Sequence, residues 1–90
     1  MILITDSHEV NEIVELVERY LEPHQPKDRK YRLNVIRDAV QQEDDWYYVV
    51  VEPDRDGIPS YDVSARLVEA ELAIEKDENR KILLVPTTPN

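Results

Sequence analysis

The stretch WYYVVVEP, residues 46–53, consists almost entirely of aromatic and β-branched residues. These residue types fit the pleated, packed surface of a sheet, so the stretch predicts the strongest β-strand of the chain. Successive side chains of a strand point to opposite sides. One side of this strand carries Tyr47, Val49 and Val51, and the other carries Trp46, Tyr48 and Val50. Both sides are therefore apolar, whereas a sheet with one face in water should alternate to polar residues.

Three other segments have the composition of strands. They are MILIT (1–5), YRLNVIRDAV (31–40) and KILLVP (81–86), and QQEDD (41–45) predicts a polar turn between two of them. MILIT is the shortest segment, and without it the predicted sheet would have only three strands.

The first predicted helix has apolar residues at helical spacing from Val10 to Leu21. Asp6 and Glu9 have the spacing of a capping box at its start. Pro23 ends it, because proline supplies no amide hydrogen and clashes with the preceding turn. The acidic residues of this helix fall on the opposite arc and are expected to face water.

The second helix is predicted from about residue 61 to residue 77, with Ser60 as its N-cap. It carries two apolar stripes on nearly opposite sides. The first consists of Val63, Leu67, Ala70 and Ile74, and the second of Tyr61, Ala65, Val68 and Leu72. A helix on a sheet buries only one such stripe, so the second is either partly covered by the first helix or exposed.

The predicted element order is β-α-β-β-α-β, which indicates an α+β fold of the ferredoxin-like type. We expect a two-layer sandwich, with a four-stranded antiparallel sheet and both helices on one face, each helix forming a right-handed crossover. With 90 residues the chain has room for a single domain, residues 1–90, in which residues 87–90 form a short polar tail.

The composition favours a soluble cytoplasmic protein. There is no cysteine, so disulfides and thiolate chemistry are absent, and no apolar run approaches the length of a membrane span. Twenty acidic residues against eleven basic ones give a formal charge of −9, which disfavours nucleic acid and membrane surfaces as partners. The local exception is a basic cluster that could form a ligand or anion patch: Lys27, Arg29, Lys30 and Arg32.

The loop VEPDRDGIPSYD, residues 51–62, contains the only glycine and four acidic residues. It does not fit a calcium loop, because counting from Asp54 puts Gly57 fourth and Ala65 twelfth. We expect Gly57 to supply a backbone conformation with positive φ at a corner between a strand and a helix.

Nothing in the sequence predicts catalysis, a cofactor or a metal site. One glycine cannot build a phosphate-binding loop, and there is no nucleophile-elbow motif. His8 and His24 lie at opposite ends of the first helix and cannot act as a pair within one chain. We therefore expect a non-enzymatic protein.

The excess of apolar surface predicts association, since large exposed apolar patches usually mark interaction sites. We expect a homo-oligomer, most simply a two-fold dimer. The predicted interaction surface consists of Trp46, Tyr48 and Val50 on the sheet and Tyr61, Val68 and Leu72 on the second helix.

Three functions fit these predictions. The first is a small acidic module for self-association and for binding an unidentified protein partner. The second is a small-molecule sensor similar to ACT domains, with a metabolite at the dimer interface, which is an analogy at the level of the fold alone. The third is binding of single-stranded RNA on the open face of the sheet, where bases could stack on Trp46 and Tyr48.

Overall fold

The computed structural model of the chain describes residues 2–3 and 7–87. Within them there are two helices, α1 (Ser7–Leu21) and α2 (Ser60–Glu78). The strands are β1 (Ile2–Leu3), β2 (Leu33–Val35), β3 (Gln41–Glu43), β4 (Trp46–Pro53) and β5 (Ile82–Pro86). Short 3₁₀ turns span Glu22–His24 and Arg37–Ala39. The predicted cap Asp6 and most of the predicted tail, residues 88–90, lie outside the described residues.

The strand β4 is the centre of the sheet, as its composition predicts. Along one edge, the first half of β4 pairs antiparallel with β3, with Gln41 opposite Tyr48. The second half pairs antiparallel with β2, with Asn34 opposite Glu52. On its other side it pairs in parallel with β5. The strand β1 pairs antiparallel with β3 at the far edge. Four strands are thus joined by antiparallel pairing of neighbours, and the fifth, β5, is a parallel edge strand.

The α+β class is confirmed, but the ferredoxin-like strand order is not. In that order the first strand would lie beside the strand of residues 46–53, whereas here β5 takes this position. The crossover β4–α2–β5 brings the chain back parallel to β4, as the prediction for the second helix requires. The same prediction for the first helix is wrong, because β2 runs antiparallel to β1. The strand β1 spans only Ile2–Leu3, and a strand this short forms a few edge pairs with β3.

The predicted strand over residues 31–40 is wrong in its extent. Only Leu33–Val35 pairs as a strand, and the 3₁₀ turn Arg37–Ala39 then interrupts the ladder. The first three residues of the predicted polar turn instead form β3 against β4. The true hairpin turn is Asp44–Asp45, in which Asp44 has a φ of 55°, a conformation that aspartate tolerates better than most residues.

Both helices begin and end close to their predicted positions. The helix α1 ends at Leu21, just before Glu22 and Pro23. The helix α2 differs at its start, since Pro59 occupies the cap position and Ser60 is already helical. Asn79 closes α2 in the left-handed conformation, with a φ of 54°.

One hydrophobic core lies between the helices and one face of the sheet. Val49 and Val51 of β4 are fully buried there, together with Ile13 and Val17 of α1. The first predicted stripe of α2 completes it: Val63, Leu67, Ala70 and Ile74. Beyond β4 the corner loop contains Gly57 with a φ of 82°, which confirms the predicted positive φ.

Candidate functional site

The face of the sheet away from the helices is apolar and uncovered. Along β4 buried residues alternate with less buried ones, so Trp46, Tyr48 and Val50 lie on this side, as predicted. In β5, Leu83 and Val85 join them in register beside Tyr48 and Val50. We call these five residues the open face. Trp46 and Leu83 are each 39% exposed, and no helix or strand in the described part of the chain covers them.

The side chains around the border of the open face, which we call its rim, are carboxylates and amides. Glu43 lies opposite Trp46 in the β3–β4 ladder, and Gln41 lies opposite Tyr48. At the other end of β4, Glu52 pairs with Asn34. The open face is thus an apolar centre with a polar border, an arrangement typical of protein-binding surfaces.

The second predicted stripe of α2 is exposed to solvent along its length. We call its members, Tyr61, Ala65, Val68 and Leu72, the α2 stripe. Tyr61 is 77% exposed, Val68 49% and Leu72 61%. The helix α1 contacts α2 but does not cover this side, so of the two alternatives the exposed stripe is the one found.

The four residues of the basic cluster do not converge on one point. Lys27, Arg29 and Arg32 line a cleft of about 480 Å³. Lys30 lines a second, smaller cleft. Arg32 donates a hydrogen bond to Glu22 at 2.9 Å, and that pair neutralises part of the positive charge of the first cleft.

A polar cluster between the loop after α1 and the start of α2 was not predicted. Tyr31 is 5% exposed, and its hydroxyl donates a hydrogen bond to Asp62. Arg66 pairs with Asp62 at 3.3 Å, lies over the Tyr31 ring at 5.8 Å from its centroid, and donates to the His24 carbonyl at 2.7 Å. The spacing of Asp62 and Arg66, four residues apart on a helix, was the one available sequence signal.

The contacts of the polar cluster shift the pKa of Tyr31 and of Asp62 from their ordinary values. Burial and the bond to Asp62 raise the pKa of Tyr31. The hydrogen bond from Tyr31, followed by that from Arg66, lowers the pKa of Asp62. The carboxylate of Asp62 is thus held charged, with its Oδ2 accepting from both Tyr31 and Arg66, which fits a structural anchor for the loop better than a proton-transfer group.

The two histidines are far from forming a pair. His24 contacts Glu69 of α2 through Nδ1 at 3.0 Å, and His8 lies in the first turn of α1. Across the described residues no three acidic or histidine side chains are grouped so that they could hold a metal ion. No helix in this part of the chain is both long and apolar enough to cross a lipid bilayer.

The surfaces with the clearest capacity for binding are thus the open face and the α2 stripe, which lie on opposite layers of the molecule. They contain all six residues of the predicted interaction surface. Comparison of the chain with protein-family models, curated proteins and solved structures gives no match.

Proposed function

We propose that this chain is a small, acidic, non-catalytic interaction module of the cytoplasm that self-associates and presents a further surface to a protein partner. The observation that supports this proposal is the presence of two exposed apolar surfaces on opposite layers of one small fold. A cytoplasmic location is supported by the lack of cysteine, since small domains of oxidising compartments commonly depend on disulfides.

The physical reason is the cost of leaving such surfaces in water. A 90-residue chain buries a smaller fraction of its surface than a larger domain, so it gains more from association. Tyr61 and Leu72 are among the most exposed large apolar residues of the described chain, and Trp46 lies at the border of the open face. Aromatic residues of this kind are enriched in the energetically important parts of interfaces.

The test is sedimentation velocity over a wide concentration series. We expect the unmodified protein to shift from monomer to dimer as concentration rises. Val68→Glu on the α2 stripe and Val50→Glu on the open face each place a charge in one surface only. At least one of them should hold the protein as a monomer with an unchanged circular dichroism spectrum.

A control variant must change the net charge by the same amount elsewhere. Arg19→Gln makes the chain one unit more negative at an exposed position of α1, outside both surfaces. It should associate like the unmodified protein. A monomer at every concentration for all four proteins would overturn the proposed self-association.

A second candidate function, binding of a small anionic metabolite, is favoured by the cleft of about 480 Å³. Its volume lies within the range of small-molecule sites, and Lys27 and Arg29 line it. The analogy with ACT domains is weakened, because it depends on the ferredoxin-like strand order. A thermal-shift screen with carboxylate and phosphate metabolites tests this candidate, since a ligand of the folded state raises the melting temperature with its concentration.

Binding of single-stranded RNA is the weakest of the three functions. Trp46 and Tyr48 share the open face, but Glu43 and Glu52 on its rim repel phosphates. Of the basic cluster, Lys30 lines a cleft together with Asp62 and Arg66 of α2, and so it lies on the helix side of the sheet.

A further inference from the structure

The α2 stripe has the spacing of a seam between two helices. Its members are separated by four, three and four residues, the spacing of the apolar positions in a coiled coil. The residues that face the core of this chain are different ones, so the whole stripe is free to contact another helix. The seam covers three turns of α2, and in the same register its next position would be Glu75.

The order of these spacings is the same in both directions along the helix. From this symmetry we infer that two copies of the chain pair through their α2 stripes in antiparallel orientation. Tyr61 of one copy then packs against Leu72 of the other, and Ala65 packs against Val68. A two-fold interface requires such self-complementarity, because the same patch must fit itself. This inference rests on the proposed self-association.

The sizes of the paired residues suit close packing. The central layers combine Ala65 with Val68, and the small alanine allows the two helices to approach each other. The outer layers combine the ring of Tyr61 with Leu72. All four residues of each stripe acquire an apolar partner, which no other antiparallel register achieves. A shift by one heptad would place Glu75 against Ala65 of the second copy and bury a charge.

The charges beside the stripe are compatible with the antiparallel orientation. Asp62 and Lys76 lie on the same flank of the stripe, one near each of its ends. In an antiparallel pair this flank faces the same flank of the second copy, so the end that carries Asp62 meets the end that carries Lys76. Glu69 lies between them and contacts His24 of its own chain at 3.0 Å.

Disulfide trapping tests the orientation directly, because the chain has no native cysteine. Tyr61→Cys and Leu72→Cys proteins are prepared separately, then mixed in equal amounts and oxidised mildly. In the inferred pair these two positions face each other, so a mixed disulfide dimer should form. Each variant alone should stay uncrosslinked, since identical positions lie about 16 Å apart along the axis and a disulfide needs Cα atoms within about 7 Å.

The control mixture replaces Tyr61→Cys with Arg19→Cys, an exposed position on α1, and it reports random collisional crosslinking. A mixed dimer above this background supports the inference. Crosslinking of each variant with itself but not with the other would overturn it in favour of a parallel pair.

Sedimentation separates this inference from the proposed function. Val68→Glu should weaken dimerisation on the order of tenfold or more, because it places a charge in a central layer. If the cysteine variants still dimerise by sedimentation without crosslinking above the control, the inferred α2 pair is wrong but self-association stands. If the unmodified protein does not dimerise at any concentration, both are wrong.

Discussion

At the scale of single residues, Tyr31 joins the loop after α1 to α2 through one hydroxyl. Its ring is buried, and the hydroxyl donates to Asp62. Tyr31→Phe keeps the ring and removes the donor, so we expect the free energy of unfolding to fall by about 1–2 kcal/mol in urea denaturation. Tyr20→Phe is the matched control, because it removes a hydroxyl that donates to Glu78 at the surface. Its loss should be smaller, and equal losses would contradict the anchoring role of Tyr31.

Asp62 makes stability depend on acid pH. The hydrogen bond from Tyr31 and the pairing with Arg66 lower the pKa of Asp62 from its ordinary value of 3.8. The folded state therefore binds fewer protons than the unfolded state. Its stabilisation is complete above the unfolded pKa and is lost as pH falls through the lowered folded pKa. Asp62→Asn should make the urea midpoint less steeply dependent on pH below about 4.

The control for this pH series is Asp56→Asn, which removes a carboxylate from the exposed corner loop. It should leave the acid slope close to that of the unmodified protein. The same slope in the Asp62→Asn variant would show that this carboxylate does not carry the effect. Asp45, whose pKa is lowered by its bond with Lys81, and Asp54, whose pKa is lowered by the backbone amide of Arg32, contribute to the slope in the same direction.

At the scale of residues, some features of the structure could be predicted from a local sequence pattern and others could not. The alternation from Trp46 to Val51 predicted correctly which side chains share a face of the sheet, because the two-residue period of a strand needs only local information. The contact of Tyr31 with Asp62 joins residues 31 positions apart. No local pattern encodes such a contact, since it depends on how the loop folds back on α2.

At the scale of elements, Glu71 protects the edge of the sheet. The strand β5 uses Thr87 N–H and Lys81 C=O to bond with β4, so the N–H of Leu84 points to the outer edge. That N–H donates to Glu71 Oε1 at 2.6 Å. Pro86, next along the same edge, has no N–H to offer. Exposed strand edges promote association between sheets, and these two residues leave two positions of the outer edge of β5 without a free N–H.

Two substitutions separate the hydrogen bond of Glu71 from its charge. Glu71→Ala leaves the Leu84 N–H without this acceptor, so we expect a loss of about 1 kcal/mol in the free energy of unfolding and faster aggregation by light scattering. Glu71→Gln keeps an acceptor oxygen and should show neither effect. Identical behaviour of the two variants would contradict the protecting role.

The Glu71→Gln variant should also change how stability depends on pH. Burial raises the pKa of Glu71 from its ordinary value of 4.5, although the bond from Leu84 opposes this. The contribution of Glu71 to stability is therefore present below its unfolded pKa and is lost as pH rises through the raised folded pKa. In the unmodified protein this loss should appear as a fall in the urea midpoint as pH rises. In Glu71→Gln the fall should disappear.

The elements near β4 show why the boundaries of a strand were harder to predict than its presence. The segment Gln41–Glu43 looks polar, yet it forms a strand because β4 offers a ladder of backbone groups beside it. The apolar segment before it is broken at Arg37–Ala39. In both cases pairing with a long neighbouring strand outweighed local composition.

At the scale of the whole molecule, the strand order was out of reach of the sequence. The six predicted elements occur in the predicted order, with β3 added between β2 and β4, but several topologies share that order. The choice depends on whether β1 or β5 occupies the place beside β4, which is a competition between long-range pairings. The excess of exposed apolar surface was more predictable than the strand order. Trp46 and Leu72 are exposed here and would be exposed in either topology.

The molecule provides its own reporter of which surface is buried on association. Trp46 is the only tryptophan, and it lies on the open face, in the layer opposite the α2 stripe. If two copies pair through α2, Trp46 stays exposed to water, so its emission maximum should not change over the concentrations at which sedimentation detects dimer. Pairing through the open face would bury the indole and shift its emission to shorter wavelength. The Val68→Glu variant supplies the reference spectrum of a monomer, and a concentration-dependent blue shift that is absent from this variant would place the dimer contact at the sheet and contradict pairing through α2.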